Sequence, residues 1–155
     1  MSLEQELQQA QVIHLDLSRF TAVEIGTSVK HTIEMMRTEN HNCAIVTDQG
    51  VLVGVFTDHD ILVKVVDNPE TWNLPVDDFS TRSPLTVKAK DPVDKALVLM
   101  EKKQFRNVPV VDDEGTVIGN LTHHAIIEYL ANRFPESGYN LPPNPEQNPR
   151  KRNGA

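Results

Sequence analysis

Two rhythms of apolar and polar positions run through this chain, and their order repeats. Val29, Ile33 and Met36 recur at three- and four-residue spacing, which predicts a helix capped by Ser28. Asn40-His41-Asn42 breaks it. Cys43-Ala44-Ile45-Val46-Thr47 is a continuous, partly β-branched run and predicts a buried strand. Asp48-Gln49-Gly50 reads as a tight turn, and residues 51–56 as the returning strand. Thr57-Asp58-His59-Asp60 then opens into the apolar stretch Ile61-Leu62-Val63-Lys64-Val65-Val66. This is a strand feeding directly into a helix, with Thr57 as N-cap and Asp60 three residues on. Upstream, Thr21-Ala22-Val23-Glu24-Ile25 is a short extended segment. Leu3, Leu7 and Ala10 give the glutamine-rich start a helical spacing.

The second half follows the same plan. Leu85-Thr86-Val87-Lys88 is extended, and Asp91-Pro92 predicts a helix with its cap and first-position proline in order. That helix carries Val93, Ala96, Leu97 and Met100 on its apolar face. Val108-Pro109-Val110-Val111, the turn Asp112-Asp113-Glu114-Gly115 and residues 117–121 predict a second hairpin, followed by a helix from Thr122 to about Arg133. Val23 and Val87, Val29 and Val93, Met36 and Met100, and Val46 and Val110 each stand 64 residues apart. Gly54 and Gly119, Thr57 and Thr122, and Ile61 and Ile126 stand 65 apart, after one extra residue in the second turn. The chain is therefore a duplication. It divides into an N-terminal extension (1–11), a first repeat (12–67), a connection (68–75), a second repeat (76–133) and a proline-rich tail (134–155). The polar stretch joining the repeats is expected to be pinned by Trp72 and Phe79, and the tail to be disordered.

Composition narrows the function classes. Only 5% of residues are aromatic, so the interior must be built from Val, Leu and Ile. A formal charge of −7 opposes broad affinity for nucleic acid or anionic membrane. No long apolar span or signal-peptide pattern is present, which predicts a soluble, cytoplasmic protein. Cys43 is the single cysteine, so an intramolecular disulfide and a cysteine-only zinc site are excluded, and its strand setting predicts a small buried hydrophobe. His59, His123 and His124 lack a completing ligand set, so no metal is expected. No Walker loop, Ser-His-Asp order or catalytic carboxylate pair can be assembled, and the expectation is a protein that is not an enzyme. The strand-to-helix junctions are the candidate chemistry. They present backbone N–H groups and a positive helix end, which suit an anion.

The order strand, helix, strand, strand, helix, with Gly54-Val55-Phe56-Thr57-Asp58-His59-Asp60 at its end, resembles the cystathionine-β-synthase (CBS) domain. Three further blocks carry the likeness: Phe79-Ser80-Thr81-Arg82-Ser83-Pro84-Leu85-Thr86-Val87, Phe105-Arg106-Asn107-Val108-Pro109-Val110-Val111-Asp112, and Gly119-Asn120-Leu121-Thr122. Two such repeats over about 12–133 resemble a Bateman module. The resemblance implies an α/β (α+β) fold of two tandem repeats packed as a pseudo-twofold pair. It also implies a regulatory module that binds an adenosine ligand and acts on an unidentified protein, commonly as a homodimer. AMP, ADP or ATP is the expected ligand, ahead of S-adenosylmethionine or NAD, with no obligatory cofactor.

By the same resemblance, Asp60 would accept from the two ribose hydroxyls and Thr57 would donate to an α-phosphate, with Asp58 and His59 adding backbone N–H groups. Thr86 and Val87 would meet the adenine edge, Val55 and Val108 would sandwich its faces, and Arg106, with Asn107 beside it, and His124 would face phosphate. In the second cleft Ala125 replaces the ribose carboxylate, and Thr21, Ala22, Asn42, Thr122 and His123 form a degenerate site. A different class of reading stands beside this one. Thr57 and Asp60 can be a capping box alone, in a ligand-free module for dimerisation or protein docking.

Overall fold

The computed structural model describes residues 2–133. The tail expected to be disordered lies outside them. A capping box between Ser2 and Gln5 opens α1 (Leu3–Gln9), a short helix that packs on the second repeat. The first repeat then runs β1 (Thr21–Glu24), α2 (Val29–Glu39), β2 (Cys43–Asp48), β3 (Val51–Thr57) and α3. α3 begins as Asp58–Asp60 and widens into a π-helical stretch, Ile61–Val65, where Val66 N–H donates to the Ile61 carbonyl at 3.0 Å. Two short turns, Pro69–Asn73 and Val76–Phe79, lead to β4 (Thr81–Arg82). The second repeat supplies α4 (Val93–Lys103), β5 (Asn107–Val111), β6 (Val117–Thr122) and α5 (His123–Arg133). No helix among the described residues is long and apolar enough to cross a membrane.

The first sheet has the order β1-β2-β3-β4, with β1 parallel to β2 and the other pairs antiparallel. In the second repeat β5 and β6 form the hairpin, flanked by single bridges from Val87 to Val110 and from Ser18 to Asn120. The extended segment expected around Leu85 is thus one bridge long. Asp91 turns its carboxylate back onto Lys88 N–H at 2.9 Å, so Pro92 and not Asp91 occupies the N-cap of α4. Pro92 is the register equivalent of Ser28, which caps α2 through His31 N–H at 3.1 Å.

Each repeat is completed by the segment that precedes the other. Gln11 bridges Pro92, and Pro75 bridges Ser28. Val93 N–H donates to the Ala10 carbonyl at 3.0 Å, and Val29 N–H to the Leu74 carbonyl at 2.9 Å. Val12 N–H reaches Asp91 at 2.9 Å, and Val76 N–H reaches Thr27 at 2.8 Å. Every member of these pairs has its equivalent 64 residues away, so the exchange obeys the pseudo-twofold. Val12 seals the core of Val93, Met100 and Leu121, while Val76 seals that of Val29, Met36 and Phe56. Burying a valine fully stabilises by roughly 1.5–3 kcal/mol. Val76 and the partly buried Phe79 therefore pin the connection, whereas Trp72 is exposed.

The hairpin tips clasp each other. Gln49 and Gly50 both have positive φ, as a two-residue hairpin turn requires. Leu52 N–H donates to the Gly115 carbonyl at 3.0 Å, and Val117 N–H to the Gly50 carbonyl at 2.9 Å. Between the sheets lie Cys43, Ile45 and Val55, with Phe20, Leu52 and Val117 against them. This junction fixes how the two strand-to-helix ends face one another.

Candidate ligand-binding site

Equivalent helix ends build the two sides of the site. α2 ends at Asn40 (φ 60°) and α4 at Gln104 (φ 59°), both in the left-handed region. This reverses the chain, with His41 N–H on the Met36 carbonyl and Phe105 N–H on the Met100 carbonyl, both at 2.9 Å. The reversal carries Asn42 and its register equivalent Arg106 to the junction between repeats. There Asp58 N–H donates to the Asn42 carbonyl at 3.1 Å, and His123 N–H to the Arg106 carbonyl at 3.2 Å.

On the second-repeat side the junction opens into a cavity of about 410 Å³. Arg19, Asn40, His41, Asn42, Arg106, Asn107, Thr122, His123 and His124 line it. Two arginines and three histidines thus face one space in a chain of formal charge −7. Acidic groups sit at its margin. Arg19 Nη2 lies 3.3 Å from Glu128, His124 Nε2 lies 3.7 Å from the same carboxylate, and His41 Nδ1 lies 3.3 Å from Glu39. Arg106 is exposed and makes no ion pair among the described residues. Asp16 has its pKa held below the usual carboxylate value, first by Ser18 Oγ at 2.6 Å and also by Arg19.

Three buried side-chain atoms in or beside the cavity have no hydrogen-bond partner among the described residues: Arg19 Nε, His123 Nε2 and Asn120 Oδ1. Arg19 Nε lies 3.6 Å from the Asp16 carboxylate, so the two atoms left wholly without a partner among those residues are His123 Nε2 and Asn120 Oδ1, and buried polar atoms in native folds almost always find one. Asn120 is fully buried, and its amide N–H groups donate to Asn107 Oδ1 at 3.1 Å and to the Arg19 carbonyl at 3.0 Å. It stands where the first repeat has Val55. This polar insertion holds Arg19 against the cavity. Thr122 Oγ1 accepts from Ala125 N–H at 2.9 Å, capping α5 at the cavity floor.

The structure groups the sequence candidates differently from the expectation. Arg106, Asn107 and His124, assigned above to the Asp60 cleft, line the cavity with Asn42, Thr122 and His123 from the cleft expected to be degenerate. Thr21 and Ala22 do not line it, and Thr21 Oγ1 donates to Glu39 at 2.8 Å. Asp60 is 6% exposed, and both carboxylate oxygens are engaged. Oδ2 accepts from Thr57 N–H at 3.0 Å and Thr57 Oγ1 at 3.3 Å, and Oδ1 meets Lys64 Nζ at 3.1 Å. Asp58 N–H, expected free, is engaged by Asn42, while His59 is exposed at the helix start.

Val55 lies between the sheets, whereas Val108 lies under the second repeat's helices. They stand on strands of different sheets and belong to different core clusters. Val87 has both backbone groups in the sheet, bonded to Pro109 and Val111, which leaves half-buried Thr86 to offer an edge. Arg19, Asn40 and His41 were missed by sequence reasoning. The repeat register holds the signal for His41 and Asn40, since they immediately precede Asn42, the equivalent of Arg106.

A profile of the CBS domain matches residues 14–67 and 76–132. The chain belongs to the CBS-domain family. Its fold is that of CBS domain pairs. CBSX2, solved in complex with AMP, superposes with a TM-score of 0.71 at 28% identity, covering 79% of this chain and 97% of that one. The CBS domain pair of protein MJ0100, solved with 5′-methylthioadenosine and S-adenosyl-L-methionine, gives 0.69 at 27% identity, covering 80% and 98%. L-aspartate semialdehyde sulfurtransferase of Methanocaldococcus jannaschii is 34% identical over 113 residues, which is 73% of this chain and 20% of that protein. This CBS pair spans from about a fifth to about half of the length of the curated relatives it matches. Among its described residues no group of three or more His, Cys, Asp or Glu side chains is arranged to hold a metal ion.

Proposed function

We propose that this CBS pair is an adenosine-nucleotide-binding regulatory module whose open site is the cationic cavity between the repeats. The observation that carries the reading is the convergence of Arg19, Arg106, His41, His123 and His124 on one cavity beside the α5 N-terminus. Arg106 supplies a planar two-donor fork for a phosphate, and the unpartnered His123 Nε2 a further polar contact. A volume of about 410 Å³ falls in the range of small-molecule pockets. AMP in one related pair and S-adenosyl-L-methionine in another support an adenosine ligand over other anions. The module binds rather than catalyses, and a ligand bridging both repeats favours one relative orientation, which a partner protein reads only if it binds the two states differently.

Calorimetric titration with AMP, ADP, ATP, NAD and S-adenosylmethionine tests this. The expected result is saturable binding of a phosphate-bearing ligand, weakened about tenfold or more by Arg106→Ala, since hydrogen bonds to charged groups contribute about 1.5–3 kcal/mol. Silence from all five with a folded protein contradicts it and favours the docking module. In the same sample sedimentation is expected to give twice the chain mass. The exposed Leu62, Val63 and Val66 on α3 and Ile127 on α5 supply apolar surface for such a homodimer.

A further inference from the structure

The pseudo-twofold breaks down over the outer helices α2 and α4, and the difference leaves a groove. In the second repeat α1 packs on α4, with Leu7 and Leu97 at the edge of that core and Glu6 tied to Arg133 of α5 at 3.2 Å. The register equivalent of α1 is the stretch 67–73, where the short turn Pro69–Asn73 lies against α2 in place of a full helix. Between α2 and that turn opens a second cavity of about 440 Å³, lined by Lys30, Ile33, Glu34, Arg37, Trp72 and Asn73. Trp72 is 38% exposed and Leu74 43% exposed, at the positions where the second repeat has Gln8 and the buried Ala10.

The groove also carries the opposite charge from its counterpart. Lys30, Ile33, Glu34 and Arg37 form one stripe of α2 at three- and four-residue spacing. Their equivalents on α4 are Asp94, Leu97, Val98 and Glu101, so both cations stand where the second repeat has acids. Neither Lys30 nor Arg37 makes an ion pair among the described residues. Two turns of helix set them about 10 Å apart. Ile33 and Trp72 give the groove its apolar surface, and Glu34 makes its middle hostile to a carboxylate. The complement is a row of apolar side chains flanked by acids two helical turns apart, which is the pattern of an amphipathic helix.

We propose that the groove between α2 and Trp72 is a docking surface for an acidic amphipathic helix of a partner protein, which lies on α2 as α1 lies on α4. The occupant is not α1 of this chain or of a second copy. α1 is engaged by α4 and Arg133, and its acids, Glu4 and Glu6, are too close together to reach both Lys30 and Arg37. No residue lines both this groove and the cavity of Arg106. The surface supplies the partner face that the regulatory reading calls for, and it rests on that reading only for there being a partner. Trp72 belongs to the connection between the repeats, so a helix seated there grips α2 and the connection together.

Trp72 is the single tryptophan, so its emission reports on the groove directly. The full chain is titrated with an alanine-based helical peptide of about 15 residues. It carries leucines flanked by two glutamates at the spacing of Lys30 and Arg37, and a control peptide has lysines in place of the glutamates. The expected result is a saturable blue shift with the glutamate peptide, weakening as salt is raised, and none with the lysine peptide. Arg37→Glu is expected to weaken binding about tenfold or more, since it sets like charges against each other. Its melting temperature stays at the wild-type value because Arg37 is exposed. Arg106→Ala leaves peptide binding unchanged, so failure of the nucleotide reading and failure of the groove are seen separately. Emission that does not move at saturating glutamate peptide, or moves equally with the lysine peptide, overturns the proposal. So does a halving of the sedimenting mass in Arg37→Glu, which would make a second copy of the chain the occupant.

Discussion

Glu24 closes β1, and its carboxylate holds the first hairpin turn from outside. Oε2 accepts from Thr47 Oγ1 at 2.6 Å and Oε1 from Gln49 N–H at 2.9 Å. These bonds favour the charged form and lower its pKa below the ordinary carboxyl value of 4.5. A lowered folded-state value means the stabilisation is complete above the unfolded value and lost as pH falls through the folded one. Glu24→Gln is therefore expected to melt below the wild type at pH 7, with the gap closing once pH drops below about 4.5. A gap independent of pH would show that the charge is irrelevant there. Cys43 behaves oppositely. Burial first, with Asp58 and Asp60 adding to it, pushes its thiol up to about 12, which accounts for a cysteine that serves as a core side chain.

Among the elements, the most legible in the sequence were those whose apolar period is long. α2, α4 and both hairpins follow directly from spacing, and the 64- and 65-residue offsets recover their equivalence. The exchange of lead segments was not legible, because Val12 and Val76 sit in stretches too short and polar to show a period. What betrays it is a glycine. At Gly119 an added Cβ would lie 2.5 Å from Leu17 Cβ, and at Gly54 it would lie 2.6 Å from Ser80 Oγ and 2.8 Å from the Thr81 carbonyl. Neither glycine has positive φ, so each is required by the crossing of the other repeat's lead segment. Gly54→Ala and Gly119→Ala are each expected to cost about 1–3 kcal/mol in chemical denaturation. A value near zero for either would mean that the lead segment does not press on that strand.

Taken whole, the molecule is held by reciprocal devices: exchanged lead segments, clasped hairpin tips and paired helix ends, all related by one pseudo-twofold. Departures from that symmetry place the chemistry. Asn120 replaces Val55, Ala125 replaces Asp60 and Arg106 replaces Asn42, so the two clefts share a frame and differ in what they offer. The sequence carried the frame and most of the candidate residues. It assigned Arg106 to the cleft of Asp60, whereas Arg106 and Asn42 come to one cavity from the two repeats, a juxtaposition that only the three-dimensional course of the chain decides. Arg19 was illegible for a related reason: it reaches the cavity through Asn120, across 101 residues of sequence.

The most direct measurement of the central claim is titration of the folded protein with AMP, followed through its backbone amide resonances. Saturating shifts are expected, concentrated at Asn42, Arg106, Asn107, Thr122, His123 and His124, which cavity binding would perturb from both repeats at once. An unperturbed spectrum at saturating AMP, or shifts confined to surfaces away from that cavity, would contradict it.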